Sequence, residues 1–368
     1  MQIKQSDDAA KARIARLEGY LLQDPENRHL LADMIELYLE TDNAETARAF
    51  AERALAAHPH DLRLRLLAID VTVAEGELEQ ADYALQAMLA EEPFEPAVAY
   101  QAVSIRFGQR RYQDAVDLFE RYPAALGVDP DAFVIRAHCL HHLGDVKNAL
   151  ADAMSCLALK PDNTDAMGLA ALLELDMDNE QRAEHWARAA LAHAPDNLAA
   201  LVTIGSIFLS KQNLREARAV FEHALSVKED SGRAWLGMAL VDMHETRLDE
   251  AVLALAKAVM YMPNHIGSWI IQGWAHLVRG EMFAAEGSFN HALTLDRNFS
   301  ESHGSLAVIL ALQGKADEAG LAAQLGLRLD PNCASAQFAQ ALLLGQVNDA
   351  RSLKEFAARL LQRSSLSR

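Results

Sequence analysis

The sequence predicts an all-α chain, an α-solenoid in which helix-turn-helix hairpins stack into a right-handed superhelix. Two regularities predict it. Ala47, Ala81, Ala115, Ala149, Ala183, Ala217, Ala251, Ala285 and Ala319 recur every 34 residues without a slip. Twelve residues beyond most of them stand Pro59, Pro93, Pro161, Pro195, Pro263 and Pro331. A fixed period of this length marks a stacked array rather than one central core. One position must stay small in every unit, and another must stop a helix. Composition agrees: 51% hydrophobic residues with only 6% aromatic ones give an alanine- and leucine-rich core, which suits close helix packing.

Placing the proline at position 32 of each unit gives nine units across residues 28–333. Each reads as two helices, the first over about positions 1–14 and the second over about positions 17–30. The first is expected to end near a Gly, Asp or Asn, as at Gly76, Gly108, Gly144, Gly280 and Gly314. The second stops at the proline, which lacks an N–H and biases its predecessor away from helix. Pro161-Asp162-Asn163, Pro195-Asp196-Asn197 and Pro331-Asn332 then start the next helix, since Asx side chains cap helix N-termini.

Some units depart from the rule. Unit three carries Arg106 at position 11, Gly127 in place of proline, and Tyr122-Pro123 inside the second helix. That helix should end early, with an irregular connection over Pro123–Pro130. Glu229 and Arg297 replace proline in units six and eight, which predicts less sharply set helix ends there. Residues 1–27 read as a tail and a capping helix over 9–22. Residues 334–368 read as a last helical pair and tail, with Arg351, Lys354, Arg359 and Arg363 giving the end of the array a wettable face.

Unit six holds Leu201, Ile204, Gly205, Phe208, Ala217, Phe221 and Ala224. Unit eight holds Trp269, Gly273, Ala285, Phe289 and Ala292, and unit seven Trp235, Ala239, Ala251, Ala258 and Pro263. These residues resemble the tetratricopeptide-repeat pattern: large at 4, apolar at 7, small at 8, apolar or aromatic at 11, Ala at 20, aromatic at 24, Ala at 27 and Pro at 32. The resemblance implies that small residues at 8 and 20 let the two helices of a hairpin approach, with bulky residues filling the remaining grooves. It implies a fold and leaves function to the surface.

A formal net charge of −18 argues against nucleic acid, which needs clustered Lys and Arg. The acidity is concentrated in residues 1–100, with 20 Asp and Glu against 9 Lys and Arg. Cys139, Cys156 and Cys333 are too few and scattered for a disulfide framework and read as reduced, buried thiols. No secretory leader and no run of about 18 apolar residues is evident, so no membrane insertion and a cytoplasmic location are expected.

No phosphate loop, dinucleotide fingerprint, His-Glu-x-x-His or Gly-x-Ser-x-Gly occurs, so neither an enzyme nor a cofactor is expected. His138 and His142 stand four apart on one helix face, a workable spacing for two metal ligands. Cys139 points elsewhere, toward the core with Cys156. The histidines therefore read as polar groove-lining groups rather than a metal site.

The resemblance further implies that first helices line the concave side, with positions 2, 5, 6, 9, 12 and 13 facing inward. Units one and two then present Asp33, Glu36, Glu40 and Asp70, an acidic zone. Units three and four present Tyr100, Gln101, Ser104, His138, His141 and His142, a polar zone. Units seven and eight present Leu236, Leu240, Met243, Ile270, Ile271, Trp274 and Leu277, an apolar zone that is either an open groove or extra core. A two-carboxylate clamp of the chaperone-binding kind is not expected, since Arg63 and Arg233 stand far apart without matching Asn or Lys. The expected function is a protein-binding scaffold or adaptor. Its partner's peptide or amphipathic helix would lie across units seven and eight, anchored at Trp274, with any basic flank directed to units one and two. Two alternatives are an assembly factor or chaperone of a bacterial secretion, pilus or envelope polysaccharide system, and a regulatory subunit of an enzyme complex. A monomer is expected, although Phe356, Leu360 and Leu361 could support pairing.

Overall fold

A computed structural model describes residues 2–91, 95–347 and 350–361, the side chains of 2–10, 350 and 358–361 excepted. Pro93, Arg363 and the side chains of Arg359, Leu360 and Leu361 lie outside the described residues. Among the described residues the chain forms twenty-two α-helices and no strand. They fall into two compact units, Met1–Pro161 and Asp162–Arg368.

The first compact unit holds α1 (Gln2–Leu21), α2 (Arg28–Glu40), α3 (Ala44–Ala57), α4 (Leu62–Ala74) and α5 (Leu78–Leu89). It continues through α6 (Pro96–Gly108), α7 (Tyr112–Arg121), α8 (Pro123–Leu126), α9 (Pro130–His142) and α10 (Val146–Leu159). Leu17 and Leu21 of α1 are buried against Leu31 and Ile35, which makes α1 the cover of the first hairpin. In unit three, α7 ends early at Arg121 as the Tyr122-Pro123 pair requires. The irregular connection expected after it is instead a single helical turn, α8, started by Pro123 at its first position. Leu126 on that turn is fully buried, so apolar packing holds it in place.

The second compact unit holds α11 (Thr164–Asp176), α12 (Glu180–His193), α13 (Leu198–Ser210), α14 (Leu214–Val227), α15 (Gly232–His244) and α16 (Leu248–Tyr261). Then follow α17 (Ile266–Val278), α18 (Met282–Leu295), α19 (Ser300–Leu312), α20 (Ala316–Leu329), α21 (Ala334–Leu343) and α22 (Ala350–Leu361). All nine period-34 alanines are fully buried. The seam they line is tight on both sides. A methyl added at Gly237 would lie 2.2 Å from the ring of Phe221, and one at Gly273 2.3 Å from the ring of Phe289.

The turn inside each hairpin has one geometry. Position 15 takes a left-handed φ in every unit, at Asp42, Gly76, Arg110, Gly144, Asp178, Gln212, Thr246, Gly280 and Gly314. The next N–H reaches back to the carbonyl at position 11, as in Arg247 N to Asp242 O at 2.8 Å, closing the helix C-terminus. Gly108 is therefore not the turn residue of unit three. It lies at the end of α6, and Arg110 with φ 59° makes the turn. Thr246 is the one β-branched residue in this series, at φ 60°. Its side chain crowds a conformation that costs ordinary L-residues roughly 1–2 kcal/mol. Thr246→Gly is expected to raise stability by about 1 kcal/mol. A denaturation midpoint that stays put or falls would contradict this.

The Asx caps form at Asn163 and Asn197, whose side chains accept from Ala166 N at 2.9 Å and Ala200 N at 3.0 Å. After Pro331, Cys333 rather than Asn332 stands at the N-cap. Glu301 of the preceding hairpin takes over the capping, accepting from Ala334 N at 2.9 Å and Ser335 N at 3.3 Å. The helix ends in units six and eight are as sharp as elsewhere, since α14 and α18 both stop at position 30. The reason is a side-chain donor at position 4 of the following unit. Trp235 Nε1 donates to Glu229 O at 2.7 Å, and Trp269 Nε1 to Pro263 O at 2.8 Å. His303 meets Arg297 O at 2.8 Å, and Gln337 donates to Pro331 O at 3.0 Å. The carbonyl at position 32 is thus satisfied whether or not a proline carries it.

Two hairpin junctions carry buried charge in opposite senses. Asp82 at position 21 accepts from Arg106 Nε at 3.2 Å and Arg111 Nη1 at 2.6 Å, from positions 11 and 16 of the next unit. At the other junction Arg218 occupies position 21, and Asp242 occupies position 11. Arg218 Nη2 donates to Asp242 at 2.6 Å, and Arg247 lies 2.8 Å from the same oxygen. Arg106, anomalous as a sequence position, is thus half of a buried ion pair whose mirror image recurs further along.

Candidate functional site

The apolar zone of units seven and eight is built by α15 and α17. Their inward positions bring Leu236, Ile270, Ile271, Trp274 and Leu277 into one core cluster with Phe338 of α21 and Phe356 and Ala357 of α22. Leu240 and Met243 pack at its edge, half-buried. Trp274 has no exposed surface. Its indole N–H donates to Ser305 Oγ of α19 at 3.0 Å, and Ser305 reaches Ser335 Oγ of α21 at 3.4 Å. A buried indole needs such a partner, and its donor fixes the ring's orientation.

α22 covers this zone. It packs against α17, α15 and α21. The Phe356 ring lies 5.2 Å from Trp274 and stacks on Phe338 at 4.1 Å with 9° between planes. Two expectations are corrected here. The C-terminal helix is not the second helix of a tenth hairpin closing the array's end, because it crosses back onto first helices. Trp274 is not an open anchor, because the chain's own aromatic residues sit on it. The missed signal is α21 itself. It has ten residues where every preceding first helix has thirteen, and Gly345 takes φ 68° three positions early.

The acidic and polar zones lie in the first compact unit. Arg63 Nη2 reaches Asp33 at 3.3 Å and Glu36 at 2.7 Å, so these carboxylates are bridged from within. Asp70 accepts from the amide of Gln101, which also donates to Leu66 O at 3.2 Å. The structure therefore links the acidic zone to the polar one through Gln101. Tyr100 is half-buried, and the carboxylates of Asp131 and Asp129 add to burial in pushing its phenol above the usual value. His142 stacks on Tyr112 at 4.4 Å and 7°, while Phe107 lies 6.0 Å from His138 and 6.5 Å from His142. His141 lies 6.3 Å from His142. The histidines join an aromatic cluster, a use that spacing alone did not suggest.

Among the described residues no three His, Cys, Asp or Glu side chains converge to hold a metal. Cys139, Cys156 and Cys333 are buried and, among the described residues, form no disulfide. Burial pushes the Cys139 thiol up to about 12, and burial with Glu301 nearby does the same for Cys333. Both stay protonated at neutral pH and are poor nucleophiles. No helix among the described residues is long and apolar enough to cross a membrane.

Comparisons with known proteins agree with this architecture. A tetratricopeptide-repeat family model matches residues 100–164 and 202–265. BBSome complex member bbs-4 of Caenorhabditis elegans is 28% identical over 192 residues, 52% of this chain and 41% of that protein. A chain of the APC/C hetero-tetramer Cut9-Hcn1 superposes with a TM-score of 0.60 at 15% identity, over 80% of this chain and 59% of that one. The human IFIT1 dimer with PPP-AAAA gives a TM-score of 0.58 at 17% identity, over 94% of both chains. The match to bbs-4 thus spans less than half of that relative's length. These likenesses and the repeat geometry define an α-solenoid of helix hairpins. The matched stretches, residues 100–164 and 202–265, are tetratricopeptide repeats, and the same hairpin geometry continues on either side of them.

Proposed function

We propose that the chain is a non-enzymatic scaffold that receives an amphipathic helix or peptide of a partner protein on the first-helix face of its second compact unit. Leu240 and Met243 form the accessible rim of that site, and Leu236, Ile270, Ile271, Trp274 and Leu277 its apolar floor. The observation that carries this reading is that the face already accommodates a helix, with an aromatic ring seated between Trp274 and Phe338. An apolar stripe laid into an apolar groove is a recurring way of recognising peptides. That bbs-4 is a BBSome complex member supports an assembly role. The net charge of −18 supports a protein partner over a nucleic acid. Buried cysteines outside any disulfide fit a reducing compartment such as the cytoplasm; the chain is taken to act as a monomer.

Tyr100, His138, His141 and His142 offer donors and acceptors for a second segment of the partner. Asp33, Glu36 and Asp70 would attract a basic flank less strongly than their number suggests, since Arg63 and Gln101 already engage them.

The test is to pan a library of amphipathic helical peptides against the full chain and map cross-links from the ligands recovered. Cross-links on first helices such as α15, α17 and α19 are expected. A map confined to second helices, around the exposed Leu253, Phe283 and Leu321, would overturn the reading.

A further inference from the structure

We propose that α22 is a tethered occupant of the partner site: it fills the α15–α17 face in place of an external amphipathic helix and must leave before one binds. This rests on the reading above that the face receives a partner helix, and it adds how access to that face is controlled.

Three observations lead to it. First, α22 abandons the repeat. In every earlier unit the turn falls at position 15 and the second helix packs on its own first helix. Here Gly345 turns the chain three positions early, and α22 lies on α17 and α15, the first helices of two earlier hairpins. Second, α22 carries the pattern of a groove ligand. Leu353, Phe356 and Ala357 stand at i, i+3 and i+4 and face the apolar cluster, while Arg351, Lys354 and Glu355 are exposed. Arg351 Nε pairs with Glu355 at 2.7 Å on the solvent side. Third, the helix is short. Twelve residues form a marginal helix alone in water, so α22 is ordered by the face it covers and does not survive as a helix away from it.

The partner's chemistry follows from the occupant. A competing helix needs an aromatic residue to replace Phe356 between Trp274 and Phe338, an aliphatic residue three positions before it, and a small residue directly after. Because α22 is covalently attached, it competes at an effective concentration on the order of millimolar for a short tether. A peptide with the same contacts, offered in trans, meets a site that is mostly filled.

The experiment uses the full chain, natural and Phe356→Asp, with a fluorescein-labelled peptide of residues 350–361 as probe. The aspartate would place a charge against Trp274 and expel α22. Anisotropy titration is expected to show at least tenfold tighter binding of the probe to Phe356→Asp than to the natural chain. Equal binding to both would overturn the proposal. So would no binding to a Phe356→Asp chain whose circular dichroism is otherwise native. Hydrogen exchange on the natural chain is a second measurement, independent of any variant. Amides of α22 should exchange at least tenfold faster than those of α17, and equal protection would make α22 permanent core and overturn the proposal. If library peptides cross-link to first helices while the probe does not distinguish the two chains, self-occupancy fails and the scaffold reading stands.

Discussion

Trp274→Ala is expected to lower the stability of the second compact unit by about 4 kcal/mol, the range found for large aromatic residues removed from packed cores. The indole has no exposed surface. It touches three layers at once: Phe289 on its own hairpin at 6.0 Å, Ser305 on the next first helix, and Phe356 on α22. Deleting it leaves a void that none of these can fill alone, because each lies on a different helix. Repeat arrays need not unfold in one step, so the readout should be local. Hydrogen exchange should report loss of protection in α15, α17 and α22 together, with α2 to α5 unaffected. A loss below about 1 kcal/mol, the scale of one net hydrogen bond, would mean that the indole is not the keystone described here.

Asp82→Ala is expected to destabilise the first compact unit by about 3 kcal/mol, because it removes the buried carboxylate that two arginines share and leaves the mostly covered Arg106 without a counter-charge. The double variant Asp82→Arg, Arg106→Asp should recover most of that loss. Arg218, Asp242 and Arg247 already form the same cluster with the sign reversed, so the geometry tolerates the exchange. Urea denaturation of the single and double variants separates the outcomes. No recovery would show that the two junctions are not equivalent.

The two aspartates should also differ in their pH response. Burial pushes the Asp82 carboxyl up, but Arg111 and Arg106 together outweigh it and hold the group below its ordinary value. Its contribution is therefore present above the unfolded value of about 3.9 and is lost as pH falls through the lower folded one. Burial dominates at Asp242 instead, and Glu250 and Glu245 reinforce it against Arg218, so this carboxyl lies above its ordinary value. The native state then binds the proton more tightly than the unfolded one, and the chain loses stability as pH rises through that interval. Carbon-13 titration of the two carboxyls would check both directions.

The fold was legible because one small residue and one helix stop recur without interruption, and both have direct physical causes. The helix lengths and the early end of α7 follow from the same signals. What stayed hidden depends on side chains meeting across hairpins. The donor at position 4 reads as bulk in Trp235 and Trp269, and only His303 and Gln337 hint that the hydrogen bond matters. Arg106 stands out in the sequence, but its partner Asp82 lies 24 residues away and could not be paired with it by periodicity. The apolar inward residues of units seven and eight were visible as a set. Their cover was not, because α22 leaves the 34-residue frame on which the expected packing rests.

The opposed charges at the two junctions also limit how such a chain can be rearranged. A hairpin bearing arginine at its receiving position can dock only behind one that offers an acid, and the reverse holds further along. Moving unit three to follow unit six would set Arg106 against Arg218 in a half-buried seam. Modules that share a backbone so closely are thus keyed to their neighbours, and their order is written into the polarity of the seams.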